Sequence, residues 1–520
     1  MELVIFFIAC VCSSYLIWYL KHRNQVLLQW PLFGSIPSVV LNMHKINDWI
    51  AGIFLSLGTG SFNIKGPKLS KLHYLVTTDP DNLKYILKTN FANFPKGPEF
   101  HQKFDILGGG IFNADFDSWA KQREMAHSCF RSSEFRSFLA DTTKKVVEDR
   151  LVPLLDHVTR QGSSIDLQDV FSRFTFDTSV IAVFGRDLGH LSPDLPTNKF
   201  VQAVDDAQEA ILYRFAVPTL VWKSMRWLKV GRERKYIESW KTLDIILAEY
   251  ISQTKEELRK GVDRNTVLST YIKSQEDSEQ GRWQSGDHLS SVANNGDKFL
   301  RDSMLTFTLA GRDTTTAGLS WFFWLICKNP HVEEKILDEL RLSFSKKATG
   351  RSSSGEKMWP WVFDKSDLKG LVYFHAAFCE SLRLYPPLPL NSKGVVKEDV
   401  LPDGNVVRPG MEMILSQYAV GRMPWIWGED CLEFKPERWI REDGTLDLQP
   451  MSKFFAFSAG PRSCIGKQMA FTQMKLAAAA ILFNFHVHLV EGQSITIKPT
   501  LVCLMKNGLM VKLKQRTPWD

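Results

Sequence analysis

FSAGPRSCIGK, residues 457–467, sets a single cysteine among two glycines, a proline and two cations. Glycine admits positive φ and close backbone approach, so this stretch can wrap tightly while presenting the Cys464 side chain to whatever it encloses. The thiol is therefore a candidate ligand, and Phe457, Gly460, Arg462, Cys464 and Gly466 together read FxxGxRxCxG. A lone cysteine is ordinarily a buried, inert side chain. The remainder of the chain decides between the two readings.

At 520 residues the chain is long enough to enclose a deep internal site. Its composition, 44% hydrophobic and 23% charged, is that of a globular protein. The balance of 64 Lys+Arg against 57 Asp+Glu gives a net charge of +7, too mild for a nucleic-acid reader but suited to an acidic partner or an anionic membrane face. Eight cysteines (Cys10, Cys12, Cys129, Cys327, Cys379, Cys431, Cys464 and Cys503) are scattered without a CxxC pair. That argues against both a disulfide framework and a zinc site, and for a reducing compartment.

Residues 3–20, LVIFFIACVCSSYLIWYL, carry no charge, and about 18 helical residues span roughly 27 Å, enough for a thin bilayer core. Glu2 precedes the run, while Lys21, His22 and Arg23 follow it. This predicts an uncleaved anchor with the N-terminus across the membrane and the rest cytoplasmic. A cleaved signal peptide would carry its basic residues before the apolar run. The predicted organisation is a transmembrane anchor over 1–20, a basic and proline-rich hinge over 21–45 that includes QWPLFGSIP, and one catalytic body over 46–520.

Within that body SWAKQREMAHSCF, TKKVVEDRLVPLLDHV and WKTLDIILAEYISQTKEEL have helical spacing. Strand patterns occur at YLVTTDPDN (74–82), around an Asp403-Gly404 turn within 394–416, and across 484–514. The expected fold class is mainly α with small β-sheets, α+β overall. Polar stretches at 274–297 and 345–358 are predicted as exposed loops, and there is no internal repeat.

The longest predicted helix runs from Asp297 as N-cap to Asn329-Pro330 as stop, about 32 residues and roughly 48 Å. In its middle, TFTLAGRDTTTAGLS places Gly311 and Asp313, Thr314, Thr315 and Thr316 inside an otherwise apolar element. Small and hydroxylic residues there let a bulky ligand approach the backbone, or else form a solvated kink. Glu380 and Arg383 in FCESLRLYPP share a helix face, and apolar neighbours point to burial, which requires further partners; Arg438 in FKPERW is the candidate third member. Trp119 and Arg123, four apart in SWAKQR, also share a face and can hold one carboxylate between them.

Taken together and in this order, these motifs resemble cytochrome P-450, the haem-thiolate monooxygenase family, over essentially the full chain. FSAGPRSCIG is similar to its haem-binding loop, AGRDTT (310–315) to its oxygen-activation segment, ESLR with PER to its Glu/Arg/Arg triad, and WAKQR to its propionate-binding helix. PKGPEF, GGGIFNADFDSW, GVVKEDVLPDG and KFFAFSAGPRSCIGK resemble the plant group that oxidises fatty acids and wax alkanes, the mid-chain alkane hydroxylases in particular. Relatives in that group couple phenol rings in alkaloid synthesis. Those depart from AGxDT, whereas Ala310, Gly311, Asp313 and Thr314 are intact here.

The resemblance implies a cytochrome P-450 fold behind a single transmembrane helix, with haem b held by Cys464 as the metal ligand. Phe457, Arg462 and Gly466 would shape the cofactor loop, and Trp119, Arg123 and Arg462 would hold the two propionates. Glu380, Arg383 and Arg438 would form the structural triad. Thr314 would order water and deliver protons to dioxygen, with Asp313 relaying protons from outside. No GxGxxG nucleotide fold is found, so electrons would come from NADPH through a separate flavoprotein, cytochrome P-450 reductase, with cytochrome b5 as a further donor. Lys121 and Lys467 are the candidate docking cations. The implied setting is the endoplasmic-reticulum membrane, facing the cytoplasm.

The implied reaction is mid-chain hydroxylation of a long apolar substrate, most simply an alkane. Fatty acid omega-hydroxylation and oxidative phenol coupling are the alternatives. Substrate would be lined by Phe100 to Phe112, by Phe307 and by Leu388 to Asn391. Two further classes compete. A haem-thiolate isomerase or dehydratase needs neither reductase nor proton relay, and the intact Asp313 and Thr314 speak against it. A membrane-tethered haem sensor or carrier needs no substrate channel.

Overall fold

The computed structural model describes residues 13–67, 72–279, 296–351 and 360–516. Among them the strands are β1 (Ser61–Lys65), β2 (His73–Thr77), β3 (Ser164–Asp166), β4 (Leu390–Gly394), β5 (Asp399–Val400), β6 (Val406–Val407), β7 (Glu412–Ser416), β8 (Phe485–Leu489) and β9 (Met510–Gln515). They form a four-stranded sheet in the order β1-β2-β7-β4, a three-stranded sheet β3-β9-β8 and the hairpin β5-β6. Helices dominate the rest, as the spacing predicts. Those framing the site are α1 (Phe116–Arg131), α2 (Leu167–Phe184), α3 (Lys199–Ala216), α4 (Gly231–Arg259), α5 (Gly296–Lys328), α6 (Val372–Leu384) and α7 (Lys467–Asn484).

Helix α5 joins two apolar cores. Its first turns, with Phe299, Met304 and Leu305, pack with Phe176 and Val180 of α2, Ile211 of α3 and Leu243 of α4. Its last turns, from Ala317 to Ile326, pack with Phe378 of α6 and Leu476 of α7, and the Phe322 and Phe378 rings stack at 4.0 Å. A side chain at Gly318 would come within 2.7 Å of the Met474 sulfur on α7, so the glycine brings α7 hard against α5. The segment between the cores holds the polar cluster read from the sequence.

Several boundaries differ from expectation. Helix α5 starts at Gly296, which places Asp297 in its first turn rather than at the N-cap. It stops as expected: the Asn329 side-chain amide donates to the Leu325 carbonyl at 2.7 Å and Pro330 opens the next helix. The polar stretch 274–297 is helical up to Glu279, and the backbone of 345–351 completes the helix Pro330–Arg351. Polar composition there marks the solvated face of a helix end rather than a loop. The remaining parts of both stretches, 280–295 and 352–358, lie outside the described residues.

Of the predicted anchor, residues 1–12 lie outside the described residues, while 13–22 are helical. Among the described residues no helix is long and apolar enough to cross a membrane. Within 21–45, Ser35 is buried and its N–H donates to the Lys65 carbonyl at 2.7 Å, which ties this stretch to β1.

Glu380 on α6 is fully buried at the centre of a clamp. Arg383 grips it with two parallel bonds of 2.7 Å, and Arg438 adds a third at 3.2 Å. The Trp439 indole and the Lys435 backbone N–H also donate to it, at 2.8 and 3.1 Å. Arg383 turns its remaining donors to the carbonyls of Gly421, Cys431 and Glu433, and Arg438 to those of Trp427 and Asp430. The segment 421–439 that precedes the cysteine loop is thereby fastened to α6. Replacing Glu380 by Gln leaves two cations sharing a neutral amide; the unfolding free energy is expected to fall by about 3–5 kcal/mol, read by chemical denaturation.

Candidate active site

Cys464 lies three residues ahead of Lys467, the first residue of α7, with Gly466 as N-cap. It is exposed, whereas the other described cysteines are buried or half-buried. Its backbone N–H donates to the Phe457 carbonyl at 2.9 Å, closing the loop on itself. Gly460 takes φ +65°, and a side chain there would lie 2.0 Å from the Leu87 carbonyl oxygen. Gly466 has φ −83° and needs no such freedom; the second left-handed residue of the loop is Ser458, at φ +59°. Thus only one of the two glycines is there for its φ.

Although Cys464 keeps solvent-accessible surface, desolvation by the protein packed around it pushes the thiol up from its ordinary range, opposed by the Gly466 N–H and the Arg123 and Lys467 cations. The helix N-terminus adds positive potential on the same side. Lys467 is half-buried, its ammonium 5.5 Å from the Phe457 ring centre, so it belongs to the loop as much as to the surface. Phe457 itself packs against Phe471 of α7 at 5.2 Å.

The polar middle of α5 is an unbroken helix, and Asp313, Thr315 and Thr316 are buried, so the solvated-kink reading fails. Threonine hydroxyls bond back to carbonyls four residues earlier: Thr314 to Ala310 at 2.7 Å and Thr316 to Arg312 at 3.0 Å. Phe307, Ala310, Gly311 and Thr314 are less buried than their neighbours, and their spacing puts them on one face. A side chain at Gly311 would meet the Ser179 hydroxyl at 2.6 Å, so this glycine admits α2 as well as opening the face.

Asp313 points elsewhere. It accepts from the Gln208 amide of α3 at 2.5 Å and lies 3.2 Å from the Arg312 guanidinium, which reaches on to the half-exposed Asp205 at 3.4 Å. Burial raises its pKa, with Arg312 opposing. A line of exchangeable groups therefore runs from the polar middle of α5 to solvent.

Trp119 and Arg123 share a face of α1 as predicted, but they meet different partners. The Trp119 ring lies under the Arg462 guanidinium at 4.8 Å, while Arg123 donates to the Ser463 carbonyl at 2.5 Å. Arg462 donates to the Asp115 carboxylate at 2.7 Å and the Ala114 carbonyl at 2.6 Å. The Nε atoms of Arg123 and Arg462 are buried without a hydrogen-bond partner among the described residues. Sequence reasoning missed Asp115, and also Gln208, Arg312 and Trp439; Arg312 and Trp439 adjoin the singled-out Asp313 and Arg438, whereas Gln208 carried no signal.

Asp115 also receives the backbone N–H groups of Lys96 and Gly97 and the His101 ring. Burial alone would raise its pKa, but these donors and Arg462 hold it at about 2, below the ordinary 3.8. Its stabilising contribution is complete above the ordinary value and lost as pH falls toward about 2. Asp115→Asn is expected to flatten the acid limb of the stability profile over that interval, measured by unfolding at stepped pH.

An exposed thiol at a helix N-terminus, buried guanidinium donors with unsatisfied N–H groups, and a helix face carrying Ala310, Gly311 and Thr314 fit a haem and its carboxylates. The family model described as Cytochrome P450 matches residues 27–513. The chain belongs to the cytochrome P450 family. Membership carries haem-thiolate iron and monooxygenase chemistry. Among relatives, it is 41% identical to Cytochrome P450 86B1 of Arabidopsis thaliana, over 96% of this chain and 87% of that one. It is 39% identical to noroxomaritidine synthase of Narcissus aff. pseudonarcissus MK-2014, over 94% and 91% respectively. It is 37% identical to alkane hydroxylase MAH1 of Arabidopsis thaliana, over 98% of both chains.

Gly460→Ala is expected to cost about 1–2 kcal/mol from the left-handed conformation alone, and more from the contact with Leu87. A lower unfolding midpoint of the haem-loaded protein, with a smaller red-shifted carbon monoxide band, would report it.

Proposed function

We propose that this protein is a monooxygenase that places one oxygen atom of O2 into a long apolar substrate, with mid-chain hydroxylation of an alkane as the reaction. The observation that carries the reading is the exposed Cys464 thiol at the N-terminus of α7, a helix packed against α5 through Met474 and Gly318, while α5 carries the less buried Thr314 next to Asp313. Bound at Cys464, the haem iron supplies dioxygen activation, the thiolate's electron donation favouring O–O cleavage. The chain's own residues supply the remainder.

Arg123, Arg462 and Trp119 bind and orient the cofactor's carboxylate edge, and the Gly466 N–H tempers the sulfur. Thr314 donates its proton to the Ala310 carbonyl at 2.7 Å, which leaves its oxygen free to accept from water on the open face. Asp313, with Arg312 and Asp205 behind it, passes protons inward from solvent. Two protons accompany each O2, so that one oxygen leaves as water while the other enters a C–H bond. The electrons come from NADPH through a separate membrane flavoprotein reductase, with the protein anchored at the endoplasmic reticulum by its N-terminal run.

A substrate without charge is favoured by the cations next to the 100–112 segment. Lys103 lies 2.5 Å from the buried Glu412 carboxylate, and Arg214 donates to Glu233 and Asp105, so both are neutralised within the protein. Phe112 and Leu388 expose apolar surface. Phe307 instead sits in an aromatic cluster with Phe130 and Tyr271, at 5.2 and 5.7 Å. The likeness to alkane hydroxylase MAH1 supports this choice, and the likeness to noroxomaritidine synthase keeps phenol coupling as the competing outcome.

Substrate-induced spectral shifts with an alkane, a free fatty acid and a phenolic amine, followed by mass spectrometry of the products, test the proposal. Tighter binding and turnover of the amine would overturn it. Thr314→Ala is expected to keep consuming NADPH while product per NADPH drops about tenfold or more and peroxide rises. Unchanged coupling would remove Thr314 from the proton path.

A further inference from the structure

The irregular backbone over residues 106–110 is held by side chains from three helices. The Ile106 N–H donates to the Tyr236 hydroxyl of α4 at 3.0 Å, and the Ile106 carbonyl accepts from the Arg301 guanidinium of α5. The Gly109 N–H donates to the Asp302 carboxylate of α5 at 2.8 Å, while the Gly109 carbonyl accepts from the Gln122 amide of α1, also at 2.8 Å. The Asn113 amide closes the turn on the Gly108 carbonyl at 2.9 Å. Backbone outside helices and strands takes its path from the groups that satisfy it, and here those groups are far away in the chain.

Asp302 sets how near this turn comes to α5. It is 3% exposed and pairs with Arg301 at 3.0 Å and Lys298 at 3.3 Å on one side, which leaves an oxygen for Gly109 on the other. No side chain fits between them: a Cβ at Gly108, where φ is +52°, would lie 2.1 Å from an Asp302 carboxylate oxygen. One at Gly110 would lie 2.6 Å from the Thr306 hydroxyl and 2.8 Å from the Asp302 carbonyl.

The contacts fall at the border of the site. Thr306 precedes Phe307, the first residue of the less buried face of α5, and Gln122 precedes Arg123, which bonds to the Ser463 carbonyl beside Cys464. The turn therefore bridges the two helices that frame the thiol and the open face. The chain leaves it with Ile111 buried and Phe112 42% exposed.

We propose that Asp302 is a positioning residue for the reaction: its grip on the 108–110 turn sets where the Phe112 ring stands beside the less buried face of α5, and thereby which carbon of the substrate is oxidised. This rests on the monooxygenase reading above. Which C–H bond reacts depends on which one is held in reach, so a wall displaced by about 1 Å re-ranks the neighbouring methylenes of a flexible chain.

Two measurements on the haem-loaded protein test this: amide exchange of residues 105–113 without substrate, and the positions of the products formed from a long linear alkane. Asp302→Ala is expected to exchange about tenfold faster or more at 106–110. The ratio of its leading positional isomer to the neighbouring ones is expected to fall about threefold or more. Asp302→Asn, which keeps an acceptor for the Gly109 N–H, stays within about twofold of the parent in both. Phe112→Ala broadens the product positions while exchange at 106–110 stays parental.

Faster exchange in Asp302→Ala with parental product positions would overturn the proposal and leave Asp302 a structural contact. So would parental exchange in that variant, or parental positions in Phe112→Ala. If Asp302→Ala does not accumulate with haem, Gly110→Ala pushes the same turn off Thr306, and parental positions there overturn the assignment. A parent that oxidises the phenolic amine and not the alkane strikes the substrate reading alone; the position of the bond formed on the amine then takes the place of the alkane products, and the exchange result stands unchanged.

Discussion

A thiol has to stay reachable in a body whose other described cysteines are buried or half-buried, and the structure is organised around that demand. Burial opposes the anionic sulfur, so the loop must surround Cys464 with fixed donors and positive potential before any metal arrives. Gly460 lets the loop turn against the Leu87 carbonyl, the Phe457 carbonyl clips the cysteine backbone, and the N-terminus of α7 supplies the field. These are local devices, but they hold only if α7 and the segment before the loop cannot drift. Gly318 and Met474 lock α7 to α5, and the Glu380 clamp locks residues 421–439 to α6.

Helix α5 then does two jobs with one element. Its ends are apolar and belong to different cores, so its position is set twice over, from both sides. That rigidity lets the middle carry residues poorly suited to a helix interior, because packing at the ends outweighs their low propensity. The hydroxyls there bond back to the preceding turn, which keeps the ladder closed, while the Thr314 side chain stays on the less buried face and that of Thr316 meets Thr175. Thr314 and Asp313 are adjacent in sequence yet point in different directions, one toward the less buried face and one toward Gln208 and Arg312. Adjacent helical positions are about 100° apart, so a single dipeptide can connect an interior surface to a route outward.

What could be read from the chain alone follows from the range of the interactions. Cys464 and its loop, the Glu380–Arg383 pair and the long helix were legible because each is written within about a dozen or so consecutive residues, or in a periodic run. Arg438 was reachable as a third member because a buried ion pair demands extra partners. Asp115, Lys96 and Gln208 were not, since each acquires its meaning from a contact across a hundred residues or more, or from a loop whose path no periodicity reports. The limits of the polar stretches failed for another reason: composition records solvent exposure, and a helix end can be as polar as a loop. Trp119 and Arg123 do share a face of α1, and Arg462 sits over the indole, a neighbour that helical spacing does not report.

The buried cations fall into two kinds, and the contrast carries the functional argument. Arg383 places its donors on Glu380 and three backbone carbonyls, Arg214 on Glu233, Asp105 and the Lys103 carbonyl, and Lys103 on Glu412. Such groups are complete within the polypeptide, and their charge contributes to the architecture. Lys393 and the Nε atoms of Arg123 and Arg462 are buried without partners among the described residues, as are the Nε atoms of Arg136, Arg312 and Arg516. Folding alone does not favour a desolvated donor left unpaired. Lys393 and Arg462 lie 5.5 and 6.0 Å from the same Phe91 ring centre, and Arg123 bonds to the carbonyl next to Cys464, so these donors gather on the cysteine-loop side. Family membership carries a haem, whose two carboxylates would answer such unpaired donors where an uncharged ligand would not.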